Sequence, residues 1–337
     1  MCPRNLSPLK VKGGHLVSSD NYEYPIIDGV PVMLLEESIP TIALARESLA
    51  RAKGATVDRR APELYLESLG ISEEEKAELA EFFKSAHGVI DPAVSFIVGA
   101  TNGILYKHLI GKLNHYPIPD LRLPISRNEM FLDIGCNWGR WCIAAEQKGC
   151  HCIGIDPSLG AIMAARRVAR QLGLSPKYVV ADARFLPFRN QTFDVAFSYS
   201  VLQHFSYGDA AASLEQMGRV LKPQGTCLVQ MPNKLGLRSL YHQVKRGFRE
   251  AGSFEVRYWN IRALKEEFTR TIGKSSVTVD CFFGLGLQRS DLPLMPLPKQ
   301  ILIKASEFLK RLSRYIPAMV YLADSVYVQA TKNSSGT

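Results

Sequence analysis

The hydrophobic positions between residues 130 and 232 fall into short apolar runs that alternate with helical stretches. Apolar runs of about four to eight residues, bounded by turn residues, are typical of buried strands. Strands that alternate with helices predict the parallel sheet of a doubly wound α/β fold. The five runs lie at 131–134, 151–155, 177–181, 193–198 and 226–231.

Two later segments extend this pattern. Residues 277–283 and 325–330 alternate or run apolar, and we expect them to be strands six and seven of one seven-stranded, Rossmann-like sheet. The insertions at 233–260 and 284–323 are too long to be simple connections. They are predicted to form a lid over the substrate.

The residues before the sheet are of two kinds. Apolar runs within 24–35 flank Asp28 and Gly29, a pair typical of a two-residue hairpin turn. From 36 to 115 the pattern is helical, with a capping box that begins at Ser72, and prolines then mark a linker. The expected parts are a small β element (1–35), a helical segment with its linker (36–125), a Rossmann-like core (126–232) and a lid with the closing strands (233–337).

The distribution of charge divides the chain into a neutral part and a basic part. The chain has 337 residues and is 46% hydrophobic, which is enough for a full core with appended units. Its net charge of +9 is uneven, because residues 1–232 carry 24 basic and 24 acidic side chains while residues 233–337 carry 17 and 8. The excess favours an anionic substrate, a nucleic acid or an acidic membrane surface as a partner. An ordinary solvated basic face explains it equally well.

The cysteines indicate a reducing compartment. There are seven, an odd number at irregular spacing. Cys150 and Cys152 flank His151 like a metal-binding fragment, but they adjoin a predicted buried strand and are interpreted as core thiols. No charged and apolar leader follows Met1, and the longest mostly apolar stretch, 93–105, is too short to span a bilayer. A cytoplasmic protein is therefore expected.

Chemistry is concentrated where the predicted strands end. The first strand leads through Asp133 into a turn that carries Gly135 and Gly139, and these let the backbone approach a ligand closely. Asn137, between them, is the type of non-glycine residue that best tolerates positive φ. The second and third strands also end in acids, suited to ribose hydroxyls and to an adenine amine. A nucleotide-sized cofactor site is predicted at this edge.

These residues resemble the class I S-adenosylmethionine-dependent methyltransferases over 126–232. The acidic-x-Gly-x-Gly-x-Gly turn of that family is matched at 133–139, with asparagine in place of the middle glycine, and its Leu-Lys-Pro-Gly-Gly turn is matched at 221–225. The Gly-x-Gly-x-x-Gly fingerprint of nicotinamide dehydrogenases does not fit this spacing. The resemblance implies S-adenosyl-L-methionine as the cofactor, with Asp156 at the ribose. It implies cofactor contacts from Asp133, Gly135, Cys136, Asn137, Trp138, Gly139, Asp156, Asp182, Ala183 and Ser198.

The hairpin at 24–35 is similar to the closing hairpin of the small zinc-ribbon proteins that activate RNA and release-factor methyltransferases. Residues 2–5 then correspond to the Cys-Pro-x-Cys of that ribbon, with Asn5 where the second thiolate should be. No cysteine pair occurs between residues 10 and 25. Because a structural zinc needs a full set of ligands, we expect a degenerate ribbon that binds no metal.

The acceptor side is indicated by residues after the fourth strand. His204 is the histidine placed to act as a general base, and a pocket wall is its alternative role. No Asn-Pro-Pro-Tyr motif follows that strand, which argues against amide or adenine nitrogen as the acceptor and leaves oxygen or carbon. Polar and aromatic residues of the lid are expected to line the acceptor pocket: Tyr241, His242, Arg257 and Tyr258.

The second insertion contains an amphipathic helix. Its apolar residues, among them Ile301 and Phe308, are interpreted as one face opposite Lys304, Lys310 and Arg311. Such a helix fits a membrane surface, but we expect it to pack against its own domain.

Together these features predict methyl transfer by in-line displacement, with O-methylation of a small or glycan- or lipid-linked metabolite favoured, and an anionic acceptor suiting the basic lid. One alternative is a tRNA-modifying methyltransferase. Another is a catalytically inactive, methyltransferase-like regulatory subunit, against which the intact acids Asp133, Asp156 and Asp182 argue. Peripheral membrane contact is an open alternative for the basic region, nucleic acid is a less favoured partner, and the sequence does not indicate an oligomeric state.

Overall fold

A computed structural model of the protein describes residues 1–54, 64–85, 90–101, 103–252, 254–284 and 286–334. The chain forms two compact units, Met1–Arg189 and Asn190–Thr337. The expected division into four parts stays a prediction. Parts of two predicted segments lie outside the described residues. They are residues 55–63, 86–89 and 102 of the helical part and residues 253 and 285 of the lid. Within the described ranges, no helix is long and apolar enough to cross a bilayer.

The strands and helices of the described residues are numbered in chain order. The strands are β1 (Leu9–Lys12), β2 (His15–Ser18), β3 (Glu23–Ile27), β4 (Val30–Pro31), β5 (Met130–Ile134), β6 (His151–Asp156), β7 (Lys177–Val180), β8 (Phe193–Ser198), β9 (Leu221–Pro232), β10 (Ser275–Cys281) and β11 (Ser325–Thr331). The helices are α1 (Leu44–Ala52), α2 (Glu73–Ser85), α3 (Pro92–Thr101), α4 (Arg140–Glu146), α5 (Leu159–Gln171), α6 (Tyr207–Val220), α7 (Leu237–Lys245), α8 (Ile261–Thr271) and α9 (Leu297–Leu312).

The predicted seven-stranded sheet is confirmed. Its strand order is β10-β11-β9-β8-β5-β6-β7. The sixth and seventh predicted strands are β10 and β11, and β11 runs antiparallel to both of its neighbours. The strands β5 and β6, β6 and β7, and β8 and β9 pair in parallel. This is the Rossmann-like α/β fold expected from the alternation of apolar runs and helices.

The first unit holds β5, β6 and β7, whose carboxyl ends meet at one edge. Residues 131–134 of β5 are all buried, as a strand covered on both faces requires. The helices α1 to α3 precede this sheet, and the predicted capping box at α2 is confirmed, because Ser72 and Glu75 bond reciprocally between side chain and backbone at 2.8 and 3.2 Å. The Oγ atoms of Ser48 and Ser68 accept from the free N–H groups of Leu159 and Gly160 at 2.9 and 2.7 Å. The preceding helical segment is thereby fixed to the start of α5.

The N-terminal sheet, β1 to β4, is antiparallel and belongs to the same unit. The predicted hairpin is present as β3 and β4, with Asp28 and Gly29 at φ 48° and 79°. The hairpin of β1 and β2 was not predicted, although Gly13 and Gly14, at φ 55° and 79°, supply the same kind of two-residue turn.

This N-terminal sheet is joined to the edge of β7. Val32 forms a parallel bridge with Val180, and the Met33 N–H donates to the Val180 carbonyl at 2.7 Å. A small core of Cys2, Tyr24, Met33 and Leu35 packs with Val179 and Phe185 beneath that junction. The edge of β7 is therefore covered rather than left open for another strand.

The second unit holds β8, β9, β10 and β11. Residues 222–225, expected as a turn before the fifth strand, lie inside β9 as a bulge, because Phe193 pairs with Leu221 whereas Val195 pairs with Thr226. Lys222 Nζ lies 2.8 Å from both carboxylate oxygens of Asp194 on β8. This ion pair holds the bulge against the neighbouring strand.

Candidate functional site

The turn after β5 has the backbone shape that its residue types favour. Gly135, Asn137 and Gly139 have φ of 73°, 47° and 80°, all in the left-handed region. The N–H groups of Gly135 and Cys136 both donate to the Ile155 carbonyl, at 2.8 and 2.9 Å. Asn137 adopts the conformation that its side chain tolerates, and its Oδ1 accepts from the Trp138 N–H at 2.7 Å. The asparagine in place of the family's middle glycine is therefore compatible with the turn.

Gly139 is required by space as well as by φ. A Cβ at this position would lie 2.5 Å from the Tyr178 hydroxyl and 3.1 Å from the Ala165 Cβ. Tyr178 is buried on β7, so its ring cannot move aside without loss of core contacts. The turn and the first residues of α4 are thereby held against β7 and α5.

Asp156, the last residue of β6, is fixed by two backbone donors. The Asn137 N–H donates to its Oδ2 at 3.0 Å and the Ser158 N–H to its Oδ1 at 2.9 Å. Burial raises the pKa of this carboxyl to about 6, although both N–H groups lower it. Each oxygen keeps a lone pair beyond the one that the backbone uses. The carboxylate is therefore aimed by the turn itself.

Asp133 is the most enclosed acid of the turn. It is 1% exposed, and its Oδ2 accepts from the Cys142 thiol at 3.4 Å. Its Oδ1 has no hydrogen-bond partner among the described residues. Burial raises the pKa of Asp133 well above its usual range. A buried acid with an unsatisfied oxygen is rare, and it singles Asp133 out among the residues of the turn.

Asp182, which follows β7, lies in an ion pair that the sequence reasoning missed. The Arg184 guanidinium donates to both of its oxygens, with Nε 3.0 Å from Oδ1 and Nη2 2.6 Å from Oδ2. The Arg184 N–H adds a third contact at 2.9 Å. Both side chains are 10% exposed, so the pair is nearly closed to water. The signal for this ion pair in the sequence was an arginine two residues after the aspartate that follows the strand.

Three thiols lie behind the turn. A Cβ at Gly154, in the middle of β6, would be 2.8 Å from the sulfur atoms of both Cys136 and Cys142. Burial raises the pKa of Cys136 and of Cys152 well above the ordinary range. All seven cysteines are buried, and none of them forms a disulfide. Among the described residues no three histidine, cysteine or acidic side chains form a group that could hold a metal ion.

His204, in the second unit, is held through both ring nitrogens. Its Nδ1 lies 3.0 Å from the Phe254 carbonyl, so this nitrogen carries the proton, and its Nε2 lies 3.2 Å from the amide nitrogen of Gln203. The Phe254 ring stacks on the imidazole at 4.4 Å. Burial lowers the pKa of His204, which keeps the ring neutral near pH 7. This environment suits a positioned wall and also leaves Nε2 as a basic nitrogen.

The four predicted lid residues do not share one environment. Tyr241 and His242 are exposed on α7, where His242 accepts from Arg238 at 3.3 Å. Arg257 donates to the carbonyls of His204 and Ala251, at 2.8 and 3.0 Å, and so links the loop before α8 to His204. Tyr258 is half-buried. Their roles toward an acceptor stay predictions.

A buried polar network at the ends of β8 to β11 was not predicted. Gln230 accepts from the Ser200 N–H at 2.8 Å and donates to the Ser325 hydroxyl. The Ser325 hydroxyl donates to Asp280 at 3.0 Å, and the Tyr199 hydroxyl donates to the same oxygen at 3.3 Å. Little in the sequence indicates this network, because its members are far apart in the chain. Ser198, a predicted cofactor contact, is fully buried on β8 just before this network.

Comparisons with known proteins identify the domain. A family model described as a methyltransferase domain matches residues 131–225. The norajmaline N-methyltransferase of Rauvolfia serpentina is 29% identical over 149 residues, which are 42% of this chain and 50% of that protein. A ubiquinone biosynthesis O-methyltransferase of Bartonella bacilliformis is 30% identical over 103 residues, 31% of this chain and 41% of that protein. A solved complex of the Haloferax volcanii Trm112 methyltransferase activator with a putative methyltransferase has a TM-score of 0.43 and 17% identity, over 64% of this chain and 87% of that chain.

The chain spans half or less of the length of these two curated relatives. The matched family segment contains the glycine turn, Asp156 and Asp182. The chain therefore carries a class I S-adenosylmethionine-dependent methyltransferase domain, and S-adenosyl-L-methionine is the cofactor of that domain.

Proposed function

We propose that the protein is an S-adenosylmethionine-dependent methyltransferase that methylates oxygen on a small or glycan- or lipid-linked acceptor. The observation that carries the proposal is the pair of backbone N–H bonds that aim the Asp156 carboxylate beside the glycine turn. This pre-oriented carboxylate, with an open lone pair on each oxygen, suits the two adjacent hydroxyls of a ribose.

The cofactor, when bound, supplies a methyl group activated by its sulfonium. The residues present fit it, because Asp133 Oδ1 is a buried acceptor without a partner among the described residues and the turn carries no side chain at Gly135 and Gly139. We assign ribose binding to Asp156, the backbone approach to Gly135, Cys136, Asn137, Trp138 and Gly139, and adenine contacts to Asp182 and Ala183. For Asp182, Arg184 must keep the carboxylate oriented while one oxygen accepts an additional bond.

Transfer to an oxygen needs removal of the hydroxyl proton, and His204 is the assigned base. Its ring is neutral and its protonated nitrogen is tied to the Phe254 carbonyl, so Nε2 is the nitrogen that can accept a proton. An acceptor hydroxyl would replace the Gln203 amide at that nitrogen. Tyr241, His242, Arg257 and Tyr258 are kept as proposed acceptor-side residues.

Oxygen is preferred over nitrogen on the sequence that follows β8. Ser198 is followed by Tyr199, Ser200 and Val201, without the Asn-Pro-Pro-Tyr pattern of enzymes that methylate amide or adenine nitrogen. The two relatives named above include one N- and one O-methyltransferase, so their names do not decide the acceptor atom. A cytoplasmic location stays a prediction, supported by the seven free thiols.

The test is transfer of labelled methyl from S-adenosylmethionine into separated fractions of a cell extract: small metabolites, lipids with lipid-linked glycans, and bulk tRNA. We expect saturable label in the first or second fraction. This label should be stable to conditions that cleave esters. The His204→Ala protein is the control and should transfer no label. Saturable label in tRNA would favour the tRNA-modifying alternative. Tight cofactor binding with no transfer to any fraction would favour the regulatory subunit.

A further inference from the structure

The helix α7 is oriented with its polar side inward. Ser239 and Gln243 are buried. On its outer side, large apolar residues recur at helical spacing at Leu237, Tyr241 and Val244, and Phe248 follows in the turn after the helix. These four side chains are 58% to 65% exposed. A helix on a soluble surface normally buries such a stripe. Here the stripe is left on the outside.

Hydrogen bonds enforce that orientation. Asp324, which is buried, accepts from the N–H groups of Arg238 and Ser239 at 2.6 and 2.9 Å. Gln243 donates to the carbonyls of Lys234 and Ser239 at 2.8 and 3.1 Å. Turning the helix to cover its apolar side would break the bonds to Asp324 and Lys234, which lie outside α7, and would leave buried polar groups unpaired, at a cost for each of them. The exposure is therefore built into the fold of this unit.

The helix α9 repeats the arrangement: it packs on its own unit but leaves part of its predicted apolar face exposed. Its inward side is marked by Ile303 and Ser306, and Ser306 Oγ accepts from the Phe282 N–H at 3.0 Å. Ile301 and Phe308 point outward and are 58% and 65% exposed. Lys310, expected on the polar face, instead lies over the Tyr327 ring at 5.8 Å.

The segment that follows α9 is bonded to α7 through Asp324 and to the residues just before α7. Asn233, four residues before α7, donates to the carbonyls of Tyr321 and Ala323 at 2.9 and 2.8 Å. These carbonyls belong to the segment that follows α9, and Tyr321 is itself 53% exposed. We call the outer residues Leu237, Tyr241, Val244, Phe248, Ile301 and Phe308 the exposed apolar surface.

The charge around this surface indicates what it binds. Residues 233–337 carry 17 basic and 8 acidic side chains. Lys245 on α7 and Lys304 and Arg311 on α9 are exposed beside the apolar stripes. Helices that lie on a membrane surface carry apolar side chains flanked by long basic ones. The apolar side chains of such helices enter the boundary between lipid headgroups and acyl chains. A nucleic acid would use the charges but would leave the apolar stripes in water.

We propose that the exposed apolar surface and its flanking lysines and arginines bind the surface of an anionic lipid bilayer. This goes beyond the proposed methyl transfer and does not depend on it. The apolar side chains would be removed from water, and the basic groups would face the phosphates of anionic lipids. Binding of this kind places the second unit beside any acceptor that is anchored in the same membrane.

The test is co-sedimentation of the full chain with vesicles of phosphatidylcholine alone and of phosphatidylcholine mixed with phosphatidylglycerol. We expect binding to the mixed vesicles only, and weaker binding as salt is raised. The double variant Val244→Ser with Phe308→Ser should bind about tenfold or more weakly. Lys304→Glu with Arg311→Glu should do the same. The control, Val11→Ser with Ile39→Ser, changes two exposed apolar residues of the first unit and should bind like the wild type.

Circular dichroism establishes that each variant is folded, and light scattering gives the mass of the wild type without vesicles. Failure of the wild type to bind mixed vesicles would overturn the proposal, as would equal binding by the apolar double variant. A stable dimer that dissociates in that variant, without vesicle binding, would show that a second copy covers the surface. Retention of labelled tRNA that depends on Lys304 and Arg311 alone, again without vesicle binding, would assign the surface to nucleic acid. None of these outcomes involves methyl transfer, so they leave the proposed function to its own test.

Discussion

Removal of the Asp156 carboxylate should weaken S-adenosylmethionine binding without unfolding the domain. In Asp156→Ala the two ribose hydroxyls would lose a charged acceptor each, and such bonds contribute about 1.5 to 3 kcal/mol apiece. Water that enters the vacated space restores part of this, so the expected net loss is about 2 to 3 kcal/mol. That corresponds to about 30- to 150-fold in the dissociation constant.

The pH dependence supplies an independent check. The carboxyl has a pKa of about 6 in the free protein, and only its ionised form can accept from both hydroxyls. Affinity should therefore fall as the pH falls through about 6, by about tenfold between pH 7 and pH 5. Asp156→Asn keeps the volume of the side chain and removes the titration, so its affinity should be weak and nearly constant over this range. The pKa of nearby Asp133 is also raised, and a slope that persists in Asp156→Asn would belong to that group.

The assay is calorimetric titration with S-adenosylmethionine, with circular dichroism as the check of folding. Glu78→Gln, which changes an exposed acid of α2, is the matched control and should bind like the wild type. Unchanged affinity in folded Asp156→Ala would refute the assignment of Asp156 to the ribose. Loss of affinity in the control to the same degree would show that the effect is general charge and not geometry.

Three further predictions concern residues outside the ribose site. His204→Ala should lower turnover by about 10²-fold and leave cofactor affinity intact. The wild-type rate should rise with pH through a value below the ordinary pKa of histidine, since burial favours the neutral base. A change in KM alone would assign His204 to the wall of the acceptor pocket. Arg184→Gln should lower the free energy of unfolding, measured in urea, by about 3 kcal/mol, because Asp182 then stays buried without its counter-charge. Adding Asp182→Asn should restore part of the lost free energy. Losses that add up in the double variant would contradict the pairing. Elemental analysis should find no stoichiometric zinc, whereas zinc that disappears on Cys2→Ser would show that the N-terminal sheet binds metal.

The sheet could be predicted from the sequence because its information is local. Each strand has its own apolar run, and the turn after β5 depends on the conformational freedom of Gly135, Asn137 and Gly139 within a few residues. The hairpin at Asp28 was predicted for the same reason. The one at Gly13 was missed although its signal is of the same kind, because its strands are short and only one of their eight residues, Ser18, is buried.

Features that depend on pairing in space could not be predicted in this way. The apolar periodicity of α9 was visible, but periodicity does not state whether the stripe is covered. The burial of Ser306 and the bond from the Phe282 N–H decide its orientation, and both involve a distant strand. The bidentate pair of Asp182 with Arg184 is a different case, because the partner lies two residues away and the signal for it was present in the sequence.

The junction of Val32 with Val180 has a consequence for how the chain folds. The N-terminal sheet leaves the ribosome long before β7 does, and Met33 has no backbone partner at Val180 until almost 150 further residues have been made. Closing a loop of that size is entropically unfavourable and slows the pairing. Until then the small core around Cys2 and Tyr24 lacks Val179 and Phe185. During synthesis the N-terminal sheet therefore lacks part of its core and its strand partner until β7 has emerged.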